Sequence, residues 1–307
     1  MKKVSFIIPA FNEEGNINEL YIQINKAINS LKDYKFEFIF VDNGSTDNTL
    51  KEILKLKKIN KNVHCLKLSR NFKMDGGIAA GLDFVECDAA IIMTANLQDD
   101  PNVIPKFLQK WEEGYEHIYG IVNSRPGKSP LRKLNSVLFY RFINILTNKL
   151  VPTGVSDYRL VDRKVINAVK ELTEVNRFYR GFFAWVGFKS TGIKFDRQKR
   201  FSGKSHANTS SVLSFAIKGI LAFSTKPLKI SIFLTLVTSS ISLIILIQQT
   251  IQWLKYGVPF DGYGTLTGIM LLFISLIFLL LSLFGEYIGL IYDETKKRPH
   301  YIIDKKF

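Results

Sequence analysis

The chain has 307 residues and a formal net charge of +15 at pH 7. This length suits one large domain or two ordinary ones. The positive charge alone would fit nucleic-acid binding, but two long uncharged apolar segments make an anionic membrane surface the simpler partner, so no nucleic acid is expected. The two cysteines, Cys65 and Cys87, lack a metal-ligand spacing and are expected to stay reduced.

Short apolar runs alternate with amphipathic segments in the N-terminal part of the chain. The runs predict strands at 4–9, 36–41, 64–69 and 89–93. The segments between them predict helices, and a further helix is predicted at 103–111. Strands that alternate with helices form a doubly wound, mostly parallel sheet, so we predict an α/β domain. No Gly-x-Gly-x-x-Gly motif follows the first strand, which disfavours a dinucleotide-binding domain.

Polar residues follow three of the predicted strands. They lie in Pro9–Glu14, in Asp42–Ser45 and in the stretch Thr94–Pro101, which reads T-A-N-L-Q-D-D-P. Open α/β sheets bind ligands at the carboxyl ends of their strands. We therefore expect these segments to form one site whose carboxylates and amides bind the base and ribose of a nucleotide. Asp99 and Asp100 have a second interpretation, since carboxylates at this place also cap a helix.

Two apolar segments in the C-terminal part are long enough to cross a membrane. Residues 230–251 and 262–285 contain no charged side chain, and each would span the ~30 Å hydrocarbon core as a helix. Lysines and arginines flank the pair, whereas the loop between them carries only Lys255 and Asp261. By the positive-inside rule we predict a multi-pass hairpin with the N-terminal domain and both termini in the cytoplasm.

The segments before this hairpin mix basic and apolar residues. Helices are predicted at 131–150 and 209–224, either packed on the core or lying among lipid headgroups. Beside a hairpin we favour the second interpretation for at least one of them. The predicted domains are 1–208 for the α/β domain, 209–229 for a juxtamembrane helix, 230–290 for the hairpin and 291–307 for a basic cytoplasmic tail.

Seven motifs occur in order along the chain. They are I-I-P-A-F-N-E-E at 7–14, V-D-N-G-S-T-D at 41–47, L-S-R-N-F at 68–72, A-N-L-Q-D-D-P at 95–101, S-D-Y-R-L-V-D-R at 156–163, R-F-Y-R-G-F-F-A-W-V-G at 177–187 and R-F-S-G-K-S at 200–205. With these motifs and the hairpin, the chain resembles the family 2 glycosyltransferases over essentially its whole length. Within that family, it resembles the membrane-anchored polyprenyl-phosphate glycosyltransferases related to dolichol-phosphate mannose synthase and the bacterial GtrB-type enzymes.

The resemblance implies a GT-A domain that binds a nucleotide-sugar, a UDP-hexose or UDP-N-acetylhexosamine. The sugar would pass with inversion to a polyprenyl (undecaprenyl) phosphate at the bacterial inner membrane, for cell-envelope glycans such as O-antigen. GtrB-type relatives also suggest a homo-oligomer in contact with membrane lipids. Because the acceptor phosphate is already an anion, it needs positioning and charge neutralisation more than it needs a general base.

The resemblance also assigns roles to residues. Those expected to be catalytic are Asp99, Asp100 and Asp157. Those expected to bind the nucleotide-sugar are Pro9, Phe11, Glu13, Asp42, Asn43, Arg70, Lys73, Asn96 and Gln98. Those expected to bind the acceptor phosphate are Arg125, Arg132, Arg159, Arg200, Lys204 and Ser205, with Arg197 a weaker candidate. For Arg132 and Arg200 the alternative is a solvated or lipid-facing basic surface.

The chain departs from the family at the motif that binds the divalent metal. The family reads D-A-D-L-Q-D-D-P after the fourth strand, whereas this chain has Thr94 and Asn96 at the two D-x-D positions. Mg²⁺ and Mn²⁺ prefer anionic oxygen ligands, whereas Thr94 and Asn96 offer only neutral ones. Gln98 matches a family position near the metal, so Asn96 and Gln98 are the residues expected to coordinate a metal here. Asn43 likewise stands where the family commonly has a second aspartate.

Several hypotheses stay open at this stage. A metal bound mainly by substrate oxygens and Gln98 would hold the donor diphosphate, or arginines and lysines would hold it alone. The chain would otherwise be a catalytically impaired homologue that acts as a binding or scaffold protein, or a transferase that extends a lipid-linked glycan. We favour an active enzyme, because Asp99, Asp100 and the acceptor-side motifs are intact.

Overall fold

The computed structural model describes residues 1–123, 154–175, 177–198 and 262–307, together with isolated positions between 237 and 257. Its contacts divide the chain into two units. One unit comprises residues 1–219 and 298–307, and the other comprises residues 220–297. The first unit is therefore discontinuous in sequence, because its last ten residues follow the second unit.

An eight-stranded sheet forms the centre of the first unit, in the order β7-β5-β6-β4-β1-β2-β3-β8. The strands are β1 (Lys2–Ala10), β2 (Tyr34–Asp42), β3 (Val63–Leu68), β4 (Ala89–Ile92), β5 (His117–Val122), β6 (Val155–Asp162), β7 (Ser190–Phe195) and β8 (Ile303–Lys306). The first four strands are parallel to one another, whereas β6 runs antiparallel to both β4 and β5. The predicted α/β class with a mostly parallel sheet is confirmed.

Helices follow the strands, and the first four of them match helices that the periodicity predicts. They are α1 (Ile17–Ile28), α2 (Thr49–Ile59), α3 (Lys73–Phe84), α4 (Ile104–Glu112), α5 (Arg163–Lys170), α6 (Tyr179–Trp185) and α7 (Tyr263–Lys296), with a 3₁₀ turn at Pro101–Val103. In α1 the buried side chains recur every three or four residues, as in Leu20, Ile24 and Ile28, so one face of the helix packs on the sheet.

The core lies between the central strands and their helices. Alternate residues of β1 and β2 face it, and the rings of Phe6 and Phe38 stack there with centroids 5.1 Å apart. On the other face of β1, a Cβ added to Gly77 would lie 2.9 Å from Pro9 Cβ. Glycine therefore lets α3 approach β1 closely, which holds the start of α3 beside the carboxyl ends of the strands.

The C-terminal segment forms the edge strand β8 and pairs antiparallel to β3. Cys65 N donates to Phe307 O at 3.2 Å and Phe307 N donates to Cys65 O at 2.9 Å. An ion pair between Lys67 and Asp304, at 2.6 Å, adds to this pairing. The prediction of a basic tail at 291–307 did not include this strand, because a short, charged edge strand has little apolar periodicity.

The second unit contains α7, a helix of 34 residues. Among the described residues, one segment is long and apolar enough to cross a membrane, Leu276–Lys296, which contains an 18-residue window with a mean hydropathy of 1.7. The predicted second span at 262–285 thus lies on a helix that continues to Lys296. The hairpin is confirmed only in part, since most of the predicted span at 230–251 lies outside the described residues, as do the helices predicted at 131–150 and 209–224.

Candidate functional site

The loops that follow β1 and β2 are joined by hydrogen bonds at the carboxyl edge of the sheet. Asn12 N donates to Ser45 Oγ at 3.1 Å, and Thr46 N donates to Asn12 Oδ1 at 2.8 Å. Glu13 N donates to Thr49 Oγ1 at 2.8 Å. Asn12 adopts a positive φ of 54°, a conformation that asparagine tolerates better than most residues. The predicted strand-end segments therefore do meet.

Asn43 connects these two loops to a third. Its backbone N–H donates to Ala10 O at 2.8 Å, its side-chain amide donates to Lys73 O at 2.7 Å, and its side-chain carbonyl accepts from Phe72 N at 2.9 Å. The residue is only 3% exposed. An aspartate at this position has no N–H to donate to Lys73 O. This structural role is a physical reason for asparagine where the family commonly has aspartate.

Close packing between the backbones of Gly44 and Arg70 also holds this edge of the sheet in place. Gly44 has a φ of 71°, and a Cβ there would lie 2.6 Å from the carbonyl carbon of Arg70. Asp42 is buried and accepts from Ser45 N at 3.0 Å. Arg70 and Lys73 are exposed beside it, so these predicted donor-binding residues lie at the edge where a diphosphate is expected.

The loop after β4 is closed by its own side chains. Thr94 Oγ1 lies 2.7 Å from Asp99 Oδ2 and 2.9 Å from Asn96 Oδ1. Thr94 N donates to Asp99 Oδ2 at 3.2 Å, and Gln98 N donates to Asn96 Oδ1 at 3.1 Å. Leu97 has a positive φ of 58° at the tip. The two residues at the D-x-D positions are thus already hydrogen-bonded within the loop.

Asp99 forms an ion pair that the sequence did not predict. Its side chain is 1% exposed, and Oδ1 lies 3.5 Å from a terminal guanidinium nitrogen of Arg197, whose side chain is 21% exposed. Gln198 N donates to Gln98 O at 3.1 Å, which holds the start of the basic segment, residues 197–205 of the sequence, beside this loop. Arg197, ranked below Arg200 from the sequence, is the member of that segment that the structure describes. Five predicted acceptor residues lie outside the described residues: Arg125, Arg132, Arg200, Lys204 and Ser205.

Asp100 occupies the capping position that was one of its two interpretations. Its Oδ1 accepts from Asn102 N at 2.9 Å at the start of the 3₁₀ turn. The phenol of Tyr158 donates to Asp100 O at 3.2 Å. Burial, together with the negative charges of Asp99 and Asp100, raises the pKa of Tyr158 well above its ordinary value. Tyr158 therefore stays a neutral hydrogen-bond donor, and a direct chemical role for Asp100 stays a prediction.

Asp157, on β6, is held by Arg180, on α6. Arg180 Nε donates to Asp157 Oδ1 at 2.7 Å and its terminal nitrogen donates to Oδ2 at 2.6 Å, which is a bidentate pair. Burial raises the pKa of Asp157. The hydrogen-bonded charge of Arg180 and, to a smaller extent, the charges of Arg159 and Arg197 outweigh burial and lower the pKa to about 2. The carboxylate is therefore ionised at neutral pH, with its orientation fixed.

Asp75, at the start of α3, faces the same cluster and was missed from the sequence. Burial and the negative charge of Asp157 raise its pKa to about 7. Tyr179 N donates to Asp75 Oδ1 at 3.4 Å, which opposes that rise only weakly. The signal in the sequence was an acidic residue directly before the run of small apolar residues in this helix.

Arg159 is buried below the site rather than exposed in it. It is 1% exposed, donates to Ser156 O at 2.7 Å, and stacks against Phe183 at 4.8 Å. Burial lowers its pKa to about 10. The expected contact with the acceptor phosphate is not supported by this placement, since the guanidinium packs in the core and supports Asp157 through its charge.

The residues after β4 do not form a set that fits a hard divalent cation. Within the part of the chain that the structure describes, no three His, Cys, Asp or Glu side chains cluster as metal ligands. Thr94 and Asn96 are neutral and hydrogen-bonded to each other, and the one buried carboxylate, Asp99, already faces a guanidinium. Mg²⁺ and Mn²⁺ prefer several anionic oxygens.

Comparisons with known proteins found a family model, sequence relatives and solved structures that resemble this chain. The family model described as "Glycosyl transferase family 2" matches residues 5–170. The chain is 36% identical to an uncharacterized glycosyltransferase of Synechocystis sp., over 98% of this chain and 94% of that one. It is 34% identical to the bactoprenol glucosyl transferase of Shigella phage SfII, over 99% and 98%. Glucosyl-3-phosphoglycerate synthase of Mycobacterium tuberculosis, in complex with Mn²⁺ and uridine-diphosphate-glucose, is 15% identical with a TM-score of 0.48 over 72% of this chain and 77% of that one.

Proposed function

Because the chain belongs to glycosyl transferase family 2 and is a glycosyltransferase, we propose that it transfers a sugar from a nucleotide-sugar to a polyprenyl phosphate. One observation carries this proposal. The similarity to a bactoprenol glucosyl transferase extends over 99% of this chain, so it includes the C-terminal apolar helix as well as the strand-end site. An acceptor with a polyprenyl tail fits an enzyme that has such a helix.

We infer that the donor lies across the carboxyl ends of β1 to β4. Asp42 and the neighbouring loops suit the nucleoside, while Arg70 and Lys73 supply positive charge near its diphosphate. A UDP-hexose or a UDP-N-acetylhexosamine is the donor class we propose.

The proposed reaction is a single displacement. An oxygen of the acceptor phosphate attacks the anomeric carbon, the bond from that carbon to the diphosphate oxygen breaks, and the nucleoside diphosphate leaves with the electron pair. One new glycosyl–phosphate bond forms as one breaks, so the anomeric configuration inverts. The attacking oxygen is already anionic, and no proton has to be removed from it.

Asp157 suits an orienting role in this reaction. Its pKa of about 2 keeps it ionised, and Arg180 fixes both of its oxygens. Such a carboxylate accepts hydrogen bonds from sugar hydroxyls in one fixed geometry. This favours the orientation of the bound donor that is closest to the reactive one. We propose that Asp157 orients the sugar or the acceptor and does not act as a base.

We propose a membrane arrangement that follows from the charge distribution in the sequence. The protein would be a multi-pass protein of the bacterial inner membrane, with the domain at 1–208 and both termini in the cytoplasm, and it would contact membrane lipids as a homo-oligomer. The candidate span Leu276–Lys296 supports membrane association.

A second candidate is a homologue that binds nucleotide or lipid phosphate without transfer. The neutral residues Thr94 and Asn96 at the D-x-D positions favour it. Purified full-length protein, incubated with undecaprenyl phosphate and UDP-sugars, separates the two by mass spectrometry of the lipids. A lipid phosphate carrying one sugar supports the transferase, unchanged lipid supports the binding protein, and a longer lipid-linked glycan would contradict both.

A further inference from the structure

We propose that Arg197 supplies the positive charge against the donor diphosphate that a divalent metal would otherwise supply, so that this chain binds its nucleotide donor without a metal. This inference rests on the proposed function, since it concerns the donor half of the same site.

The charge balance after β4 supports the substitution of an arginine for a metal. A pair of D-x-D carboxylates and a bound divalent cation sum to zero net charge. Thr94 and Asn96 without a cation also sum to zero, so this loop needs no cation to balance its own charge, and positive charge for the diphosphate has to come from a neighbouring side chain. With neutral side chains alone, a divalent cation would lose the anionic ligands that it prefers.

Arg197 is placed and oriented to bind an anion. Asp99 holds one terminal nitrogen at 3.5 Å, and its own carboxylate is almost fully buried, so the arginine cannot leave without unpairing a buried charge. The backbone bond from Gln198 N to Gln98 O fixes the segment beside the loop after β4.

The guanidinium of Arg197 also has an N–H donor that no described residue uses in a hydrogen bond. Arg197 Nε is buried and, among the described residues, has no hydrogen-bond partner. Asp99 Oδ1 is likewise without a hydrogen bond there, because 3.5 Å joins it to Arg197 as an ion pair only. Arginine carries five N–H donors in a fork that matches phosphate oxygens. A diphosphate that enters beside Asp99 would take the donors that Asp99 leaves open.

The test measures nucleotide binding in the absence of an acceptor. Full-length protein in detergent is treated with EDTA, and the affinities for UDP and for GDP are measured by calorimetry with EDTA and with added Mg²⁺. We expect the tighter of the two nucleotides to bind with an affinity that changes less than about twofold between the conditions, since the arginine contact needs no metal.

Two variants examine the arginine. Arg197→Gln should weaken binding at least about tenfold in EDTA, because a charge-assisted contact is lost. The nucleotide affinity of Arg197→Lys should lie between those of the wild type and Arg197→Gln, since lysine keeps the charge but lacks the forked set of donors. Arg163→Gln is a matched control, because Arg163 pairs with Asp88 at the opposite end of β4. Its affinity should equal that of the wild type.

A second pair of changes restores the carboxylates. Thr94→Asp with Asn96→Asp places new charges beside Asp99, and like charges this close favour a bound cation. This double variant should bind nucleotide at least about tenfold more tightly with Mg²⁺ than in EDTA. It should also give a bound-Mn²⁺ signal in electron paramagnetic resonance that the wild type lacks.

Loss of folding is excluded by a variant that leaves no buried charge unpaired. Asp99→Asn combined with Arg197→Gln should retain the wild-type unfolding temperature within a few degrees and still lose nucleotide affinity.

Several outcomes would overturn the inference. They are wild-type binding of UDP or GDP only with Mg²⁺, failure of both nucleotides to bind in EDTA, bound Mn²⁺ in the wild type, or unchanged affinity in Arg197→Gln. Sugar transfer that needs Mg²⁺ would contradict the inference and leave the proposed function intact. Metal-free nucleotide binding without any transfer would support the inference and contradict the proposed function.

Discussion

The β1–β3 side of the candidate site and its β4–β6 side are held together by different interactions. On the first side, Asn12 and Asn43 join three loops through neutral hydrogen bonds. On the second, Asp99 and Asp157 each meet an arginine. Neutral hydrogen bonds hold the loops in one conformation, whereas buried charges interact strongly with any charged ligand that enters the site. We therefore expect substitutions on the first side to change stability and those on the second to change activity.

The largest effect is expected on the charged side. Asp157→Asn removes the negative charge that orients Arg180 and places an amide N–H against one of its donors. We expect sugar transfer to fall by about a hundredfold, since misplacement of a reacting group by about 1 Å costs that much. Initial rates with the full-length enzyme measure it.

Asp304→Asn is the control for this change, because Asp304 pairs with Lys67 at the far edge of the sheet. Its rate should match that of the wild type. Transfer at the wild-type rate by Asp157→Asn would show that the carboxylate does not orient the sugar or the acceptor.

The next effect is expected on the neutral side. Asn43→Asp removes the N–H that donates to Lys73 O and sets a carboxylate against that carbonyl. A buried polar group left unpaired costs about 1–3 kcal/mol, so we expect the unfolding midpoint in urea to fall accordingly. Asn62→Asp, on the exposed turn before β3, should leave the midpoint unchanged. Equal midpoints for the two variants would mean that Asn43 does not hold the three loops together.

A pH-dependent effect connects the two sides through Asp75. Its pKa is raised from 3.8 to about 7 in the folded protein, so the folded state binds a proton that the unfolded state releases in that interval. The contribution of Asp75 to stability is therefore present below pH 3.8 and is lost as the pH rises towards 7. Asp157, with its pKa lowered to about 2, contributes in the opposite sense, and its contribution is lost only as the pH falls from 3.8 to 2.

Asp75→Asn separates these contributions. The variant should gain stability relative to the wild type as the pH rises from 4 to 7, because the amide does not ionise beside Asp157. Thermal unfolding of both proteins over this range measures the difference. A difference in unfolding temperature that is constant with pH would indicate that Asp75 does not titrate there.

The smallest effect is expected at Lys73, which has a positive φ of 62° at the start of α3. A residue with a Cβ is strained in this conformation by about 1–2 kcal/mol, and glycine is not. Glycine also loses more chain entropy on folding, so Lys73→Gly should gain less than about 1 kcal/mol of unfolding free energy. Lys73→Ala keeps the strain and should show no gain. A gain in the alanine variant instead would point to the lysine charge rather than to the backbone.

Much of the fold was predictable because apolar periodicity is a local property. The runs that became β1 to β4 are mostly buried, and the helices between them bury residues at helical spacing. The antiparallel insertion of β6 and the pairing of β8 were not predictable, because they depend on long-range pairing that a single segment does not encode.

The location of the site was easier to predict from the sequence than the contacts between its residues. Strand-end motifs identified the sheet edge, and Asp99 and Asp157 lie there with charged partners. The partner of each was not predictable, since Arg197 and Arg180 come from distant elements. Arg159 matched a motif, yet burial gives it a supporting role that a sequence pattern cannot distinguish from a surface one.

The pairing of β8 with β3 has a consequence for synthesis of the protein. Lys67 and Asp304 are 237 residues apart, and residues 220–297 are made between them. At ribosomal rates of about 5–20 residues per second, β3 waits on the order of ten to fifty seconds for its neighbour. During that interval the exposed edge of β3 is open to pairing with other chains. The apolar helix α7 is complete before β8 exists, so it leaves the ribosome before the sheet can close.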